Sequence, residues 1–131
     1  MIRVVIDTNV LVSSTLSPKG NSAQIMHLVS DKQIVLSYSS AILEEYKRVL
    51  AYKRLNIAFQ TQGRIIFAIE GLGVLIEPFV SDMSLPDETD RVFYDTAKEC
   101  GAILITGNIR NYPSEDFIMT PAQFLSYIKD Q

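Results

Sequence analysis

The chain has 131 residues, 47% of them hydrophobic and 21% charged, with a formal net charge of −3 and a pI near 5.1. That size suits one domain, residues 1–131, with a core of its own, and the composition excludes a disordered or collagen-like chain. The single cysteine, Cys100, excludes an internal disulfide, and no apolar run reaches the length of a membrane span.

Val4-Val5-Ile6 reads as a short buried strand ended by Asp7. The N-terminal apolar stretch is too short for a secretory core, which with the cysteine count predicts a cytoplasmic location. A short helix is expected over Asn9 to Leu16, then a loop over Ser17-Pro18-Lys19-Gly20-Asn21, then a helix capped by Ser22 and running through Val29. Ile34-Val35-Leu36 is a second strand, and Ser39 or Ser40 caps a helix to about Leu50. A further helix covers Ile57 to Glu70, closed by Gly71 or Gly73, and leads into a third strand, Val74-Leu75-Ile76. Asp87 or Thr89 opens a helix that ends near Cys100, with Gly101 as its C-cap. Ala102 to Thr106 is a fourth strand and Phe117-Ile118-Met119 a fifth, and Pro121 sits in the first turn of a last helix. Strands alternate with helices, and the strands are continuous apolar runs. Both features predict an α/β fold with a parallel sheet covered on its two faces. Ligands of such sheets bind at the carboxyl ends of the strands, near the reversal of strand order.

The acids that follow strands are therefore the first candidates. Asp7 directly follows strand one, where it reads either as an N-cap or as a ligand at the binding edge. In Ile42 to Leu50 the apolar stripe is Ile42, Leu43, Tyr46, Val49 and Leu50. At roughly 100° per residue, Glu44 lies about 160° from the centre of that stripe and Glu45 about 100°. Glu44 faces water; Glu45 borders the packed face, and the pattern alone favours a flanking acid within reach of Arg48. In Leu85-Pro86-Asp87-Glu88-Thr89-Asp90-Arg91 acids are favoured by the helix dipole, and Asp90 lies nearest the buried stripe of Val92, Phe93, Ala97 and Cys100. Thr106-Gly107-Asn108 closes strand four, where Gly107 permits a tight turn and Thr106 and Asn108 can hold a water or a carboxylate.

Oxygen donors of this kind suit magnesium or manganese, which can orient a phosphodiester and activate a water. No other nucleophile constellation stands out: His27 is a lone histidine in an apolar stretch, and no phosphate-binding glycine loop is present. The acidic balance weighs against a nucleic-acid partner, an objection that bound cations would remove. Lys47, Arg48, Lys53 and Arg54 form either a phosphate-contacting ridge or a solvated helix face.

Four blocks resemble the PIN-domain family in order and spacing. They are the opening strand with Asp7-Thr8-Asn9, the helix Leu43-Glu44-Glu45-Tyr46-Lys47-Arg48-Val49-Leu50, the block Asp87-Glu88-Thr89-Asp90-Arg91-Val92-Phe93, and Ile103-Leu104-Ile105-Thr106-Gly107-Asn108. The group they look most like is the VapC-like toxins of prokaryotic toxin–antitoxin pairs. The resemblance implies a three-layer sandwich around a five-stranded parallel sheet of order 3-2-1-4-5. It implies a metal-dependent endoribonuclease using Mg2+ or Mn2+, with Asp7, Glu45 and Asp90 as catalytic acids and metal ligands. Asn9, Thr106 and Asn108 would support them, with Asn108 standing where many members carry an acid. RNA, a second copy of the chain in a homodimer and a small antitoxin are the partners it implies. Two other readings remain open: a phosphatase-like enzyme with Asp7 as nucleophile, and a PIN-like module that binds without turnover.

Overall fold

The computed structural model describes residues 1–131. Its elements are β1 (Arg3–Ile6), α1 (Thr8–Leu16), α2 (Asn21–Ser30), β2 (Val35–Tyr38), α3 (Ser40–Leu50), α4 (Phe59–Leu72), β3 (Val74–Leu75), α5 (Arg91–Cys100), β4 (Ile103–Ile105), β5 (Ile118–Met119) and α6 (Pro121–Lys129). Short 3-10 turns lie at Lys53–Leu55, Glu88–Asp90 and Ile109–Asn111. The strands form one parallel sheet of order β3-β2-β1-β4-β5, flanked by helices. Val4, Val5 and Ile6 lie in the centre, and Leu36, Leu104 and Ile105 pack beside them, all fully buried. Helices on both faces leave a central strand no wet side, which is why β1 and β4 read as unbroken apolar runs.

The chain steps outward from β1 through β2 to β3, then returns to β4 on the other side of β1. That reversal puts the carboxyl ends of β1 and β4 side by side, with Ile6 opposite Ile105 and Asp7 N–H donating to the Ile105 carbonyl at 2.9 Å. A crevice opens at such a switch point because the flanking helices diverge there.

Several boundaries differ from the sequence expectation, each for a local reason. Helix α1 starts at Thr8 with Asp7 as its N-cap. Helix α2 starts at Asn21 after Gly20, and Ser22, expected as a cap, is instead buried inside the helix. Helix α4 starts at Phe59 and stops at Gly73. A Cβ at Gly73 would stand 2.8 Å from the Ile69 carbonyl oxygen and 2.9 Å from the Tyr38 ring, so only glycine lets α4 run directly into β3. Gly101 caps α5 in the left-handed region at φ 65°, as its position after Cys100 predicts. The helix expected from Asp87 is a 3-10 turn followed by α5 proper, with Asp90 at the junction.

Candidate active site

Asp7 is buried at the carboxyl end of β1, only 4% exposed. Its Oδ1 accepts the Thr8 N–H at 2.8 Å. Its Oδ2 accepts the Thr106 hydroxyl at 2.8 Å, the Tyr112 hydroxyl at 2.9 Å and the Asn9 amide at 3.4 Å. All these donors are neutral. Burial outweighs them and holds the carboxyl above its ordinary pKa. Burial also pushes the Tyr112 phenol far up, and the charges of Asp7, Asp90 and Glu45 add to the effect, so it stays protonated and keeps donating. Asn9 is locked in turn, because its Oδ1 accepts the Gly107 N–H at 2.8 Å. Thr106 Oγ1 accepts the Asn108 N–H at 3.0 Å.

Glu45 lies on α3 one helix away. The Thr8 hydroxyl donates to its Oε2, joining α3 to the end of β1, and Arg48 Nη2 stands 3.6 Å from its Oε1. The Glu45 side chain is 21% exposed and that of Glu44 is 73% exposed, the division that their positions around the helix require.

Asp90 approaches from a third element. Asp87 caps the 3-10 turn, accepting the Thr89 N–H at 2.9 Å and the Thr89 hydroxyl at 2.7 Å, which leaves Asp90 to turn inward. Arg91 fixes the turn through Glu88 at 2.7 Å and the Ser81 carbonyl at 2.7 Å, and it also donates to the Met83 carbonyl. Its charge is committed to that loop. Oδ2 of Asp90 is buried and has no hydrogen-bond partner. Burial first, then the charges of Asp7 and Asp87, raise the Asp90 pKa to about 6; the Asn111 side chain pulls the other way, and Glu45 adds a smaller upward push.

Two acids remote in sequence, Asp7 and Glu45, thus act on the charge of Asp90. They do not close a cage: no three Asp, Glu, His or Cys side chains stand close enough to surround an ion by themselves. Thr8 links Asp7 to Glu45, with its N–H on the Asp7 carboxylate and its hydroxyl on that of Glu45. A donor set of carboxylate, amide and hydroxyl oxygens, with one buried carboxylate oxygen unsatisfied, fits a magnesium-type ion. Such an ion keeps several waters beside one or two carboxylates. The set lacks the imidazole or thiolate ligands that structural zinc takes.

The other predicted residues divide. Arg54 lines a cleft of about 560 Å³ that begins at Asp7, Thr8 and Asn9. Arg48 Nη1 donates to the Tyr52 hydroxyl at 2.6 Å at the same end. Lys47 is turned toward Glu44, 3.4 Å away on the exposed face. Lys53 lies exposed in the 3-10 turn beside Arg54. Asn108 is exposed and lines a neighbouring cleft of about 650 Å³ that includes Asn9 but not Asp7. Its link to Asp7 runs through its backbone and Thr106. Sequence reasoning missed Tyr112, Thr8 and Arg91 as parts of this site. Tyr112 is 105 residues from Asp7, and only a tyrosine soon after the strand-four turn hinted at it.

A family model described as a PIN domain matches residues 3–110. The chain is also similar to an uncharacterized protein, MJ1680, of Methanocaldococcus jannaschii. The two are 34% identical over 110 residues, which spans 82% of this chain and 71% of the relative.

Proposed function

The chain belongs to the PIN-domain family, generally metal-dependent nucleases, and from that premise we propose that it is a Mg2+- or Mn2+-dependent endoribonuclease, the toxin of a VapC-like toxin–antitoxin pair. The observation that carries the catalytic part is the partnerless, buried Asp90 oxygen facing the charges of Asp7 and Glu45. Like charges held together in a crevice call for a cation. Asp7 and Asp90 would hold it, and Glu45 would hold it or orient the attacking water. A bound divalent ion supplies charge neutralisation at the phosphodiester and activation of that water.

The chain's own residues do the positioning. Thr106, Tyr112 and Asn9 keep the Asp7 carboxylate in one orientation. Thr8 ties Glu45 to the same strand end. Arg54 places positive charge along the cleft that leads away from Asp7, and Arg48 stands beside it on Tyr52 and Glu45. The Arg48 side chain is mostly exposed, and its 3.6 Å pair with Glu45 is a loose one, so Arg48 can exchange that partner for a phosphate. By family likeness, the chain would pair with a second copy of itself and with a small antitoxin.

The test is cleavage of a mixed RNA pool with manganese or magnesium present. The expected result is cleavage that stops with EDTA and in Asp7→Asn. Equal cleavage in either control would reject the assignment. A covalent phosphate on Asp7 would favour the aspartate-nucleophile reading instead, and manganese binding without cleavage would favour a binding module.

A further inference from the structure

Helix α2 begins with its donors free. Its N-cap, Gly20, has no side chain to close the first turn, and the first bond of the helix runs from the Gln24 N–H to the Gly20 carbonyl at 3.2 Å. The N–H groups of Asn21, Ser22 and Ala23 therefore have no acceptor in the helix. Asn21 and Ser22 line the cleft of about 650 Å³ that Asn108 also borders, and so does the first turn of α6, Thr120 to Ala122. The end of α6 is closed. Thr120 accepts the Gln123 N–H at 3.2 Å, the Gln123 side chain accepts the Thr120 N–H at 2.9 Å, and Pro121 has no N–H to offer. The end of α2 is open. Ser22 is only 6% exposed, yet its hydroxyl borders this cleft and makes no hydrogen bond within the protein. A buried hydroxyl without a partner costs free energy that an acceptor in the cleft would relieve. No residue that lines the cleft is charged. The fixed polarity of the lining comes from the positive ends of two helices, which favours an anion.

We propose that the N–H groups of Asn21, Ser22 and Ala23, with the Ser22 hydroxyl, form a phosphate site at the start of α2, apart from the metal crevice. Three N–H groups and one hydroxyl on a single turn suit a tetrahedral anion with several acceptor oxygens. A carboxylate, with two oxygens in one plane, uses fewer of them. Asn9 borders both this cleft and the one that begins at Asp7, so the phosphate lies next to the proposed cleavage centre and not in it. The source that fits this placement is a backbone phosphate of the RNA beyond the bond that is cut, an assignment that rests on the ribonuclease reading above. Free phosphate has the same chemistry, and the experiment separates the two.

The decisive variant is Gly20→Asp. Gly20 has φ −82°, and a Cβ there would stand 3.4 Å from the Ser17 carbonyl oxygen, an ordinary contact, so aspartate fits. Its carboxylate would cap the free N–H groups, which strengthens the helix, and would repel a phosphate. Gly20→Ala leaves those groups open and is the control. Inorganic phosphate is titrated into the full metal-free chain and followed by amide NMR. The expected result is a shift of the amides of residues 21–23 in wild type and Gly20→Ala, roughly ten-fold weaker binding in Ser22→Ala, and no binding in Gly20→Asp, which melts no lower than wild type. Binding of an RNA oligonucleotide, with Ca2+ in place of Mg2+ to suppress turnover, then identifies the source. A backbone phosphate in the site makes Gly20→Asp bind RNA roughly ten-fold more weakly than Gly20→Ala, and inorganic phosphate competes. Equal RNA binding by these two variants, with phosphate binding lost only in Gly20→Asp, assigns the site to free phosphate and overturns the RNA assignment. Phosphate that binds Gly20→Asp as tightly as Gly20→Ala overturns the site and leaves the nuclease reading intact. So do amides of residues 21–23 that stay unmoved in the wild type with phosphate and with RNA alike. A chain whose amides respond to phosphate but which cleaves no RNA in manganese keeps the site and overturns the nuclease reading.

Discussion

Asp7 and Asp90 are both carboxylates at the same crevice, and the protein treats them in opposite ways. Asp7 sits on the central strand with its oxygens engaged by Thr8, Asn9, Thr106 and Tyr112. Asp90 sits at the junction of a surface turn and α5, with one buried oxygen left without a partner. The first is fixed by the fold whether or not an ion is bound. The second carries a mismatch that the protein's own groups do not relieve. Pre-organisation is thus concentrated on the strand, and the unsatisfied carboxylate oxygen on the turn.

Neutralising each acid sharpens this contrast. Asp7→Asn and Asp90→Asn are each expected to reduce RNA cleavage by about a hundred-fold or more, beyond the usual cost of losing a supporting residue in a metal site. They should differ in stability. The folded Asp90 carboxyl, with a pKa of about 6, binds its proton more tightly than in the unfolded chain. Its ionisation therefore costs stability above pH 6, and this cost fades as pH falls toward 4. Metal-free Asp90→Asn should melt higher than wild type at pH 7.5, by a few degrees because solvent screens a half-buried group. The gap should close near pH 4. A variant that melts lower at pH 7.5 would contradict the strained state assigned to Asp90.

The next effect concerns the donors around Asp7. Tyr112→Phe and Thr106→Val each delete one hydrogen bond to Oδ2. Each is expected to weaken Mn2+ binding by about ten- to hundred-fold in calorimetry. Thr106→Val should also cost about 1–3 kcal/mol of stability, since Thr106 is fully buried and the carboxylate beside it loses a donor. Unchanged manganese affinity in both variants would remove Asp7 from the metal site. The smallest effect is expected at Asn108. Asn108→Asp adds a charge on the exposed side of Asn9, and a few-fold gain in Mn2+ affinity at low salt is the outcome to look for.

Much of this site was legible along the chain. The run Val4-Val5-Ile6 followed by Asp7 marks a buried strand ending in a charge, and the 3.6-residue period of α3 separates Glu45 from Glu44. The family that the four motif blocks resemble implies the strand order, which the sheet shows as β3-β2-β1-β4-β5. Local pattern was weaker where contacts across the fold decide the outcome. Ser22 looked like a cap but is buried, because the chain enters α2 two residues earlier, with Gly20 as the N-cap. Asp90 stood out as the acid nearest the buried stripe, but its unpartnered oxygen was not legible, because it depends on how Arg91 grips Ser81 and Met83. Lys47 and Arg48 looked alike, and the helix turns one toward Glu44 and the other toward Glu45 and Tyr52.

By itself the sequence determined the alternation of strands and helices, the family and the residue types at the crevice, because periodicity and turn chemistry act over a few neighbouring residues. Only the tertiary structure decided that Tyr112 donates to Asp7 across 105 positions, that Thr8 bridges to Glu45, and that an oxygen of Asp90 is left buried and alone. Burial and hydrogen-bond satisfaction depend on which groups the packed chain brings within about 3 Å of each other, and no local pattern encodes that distance.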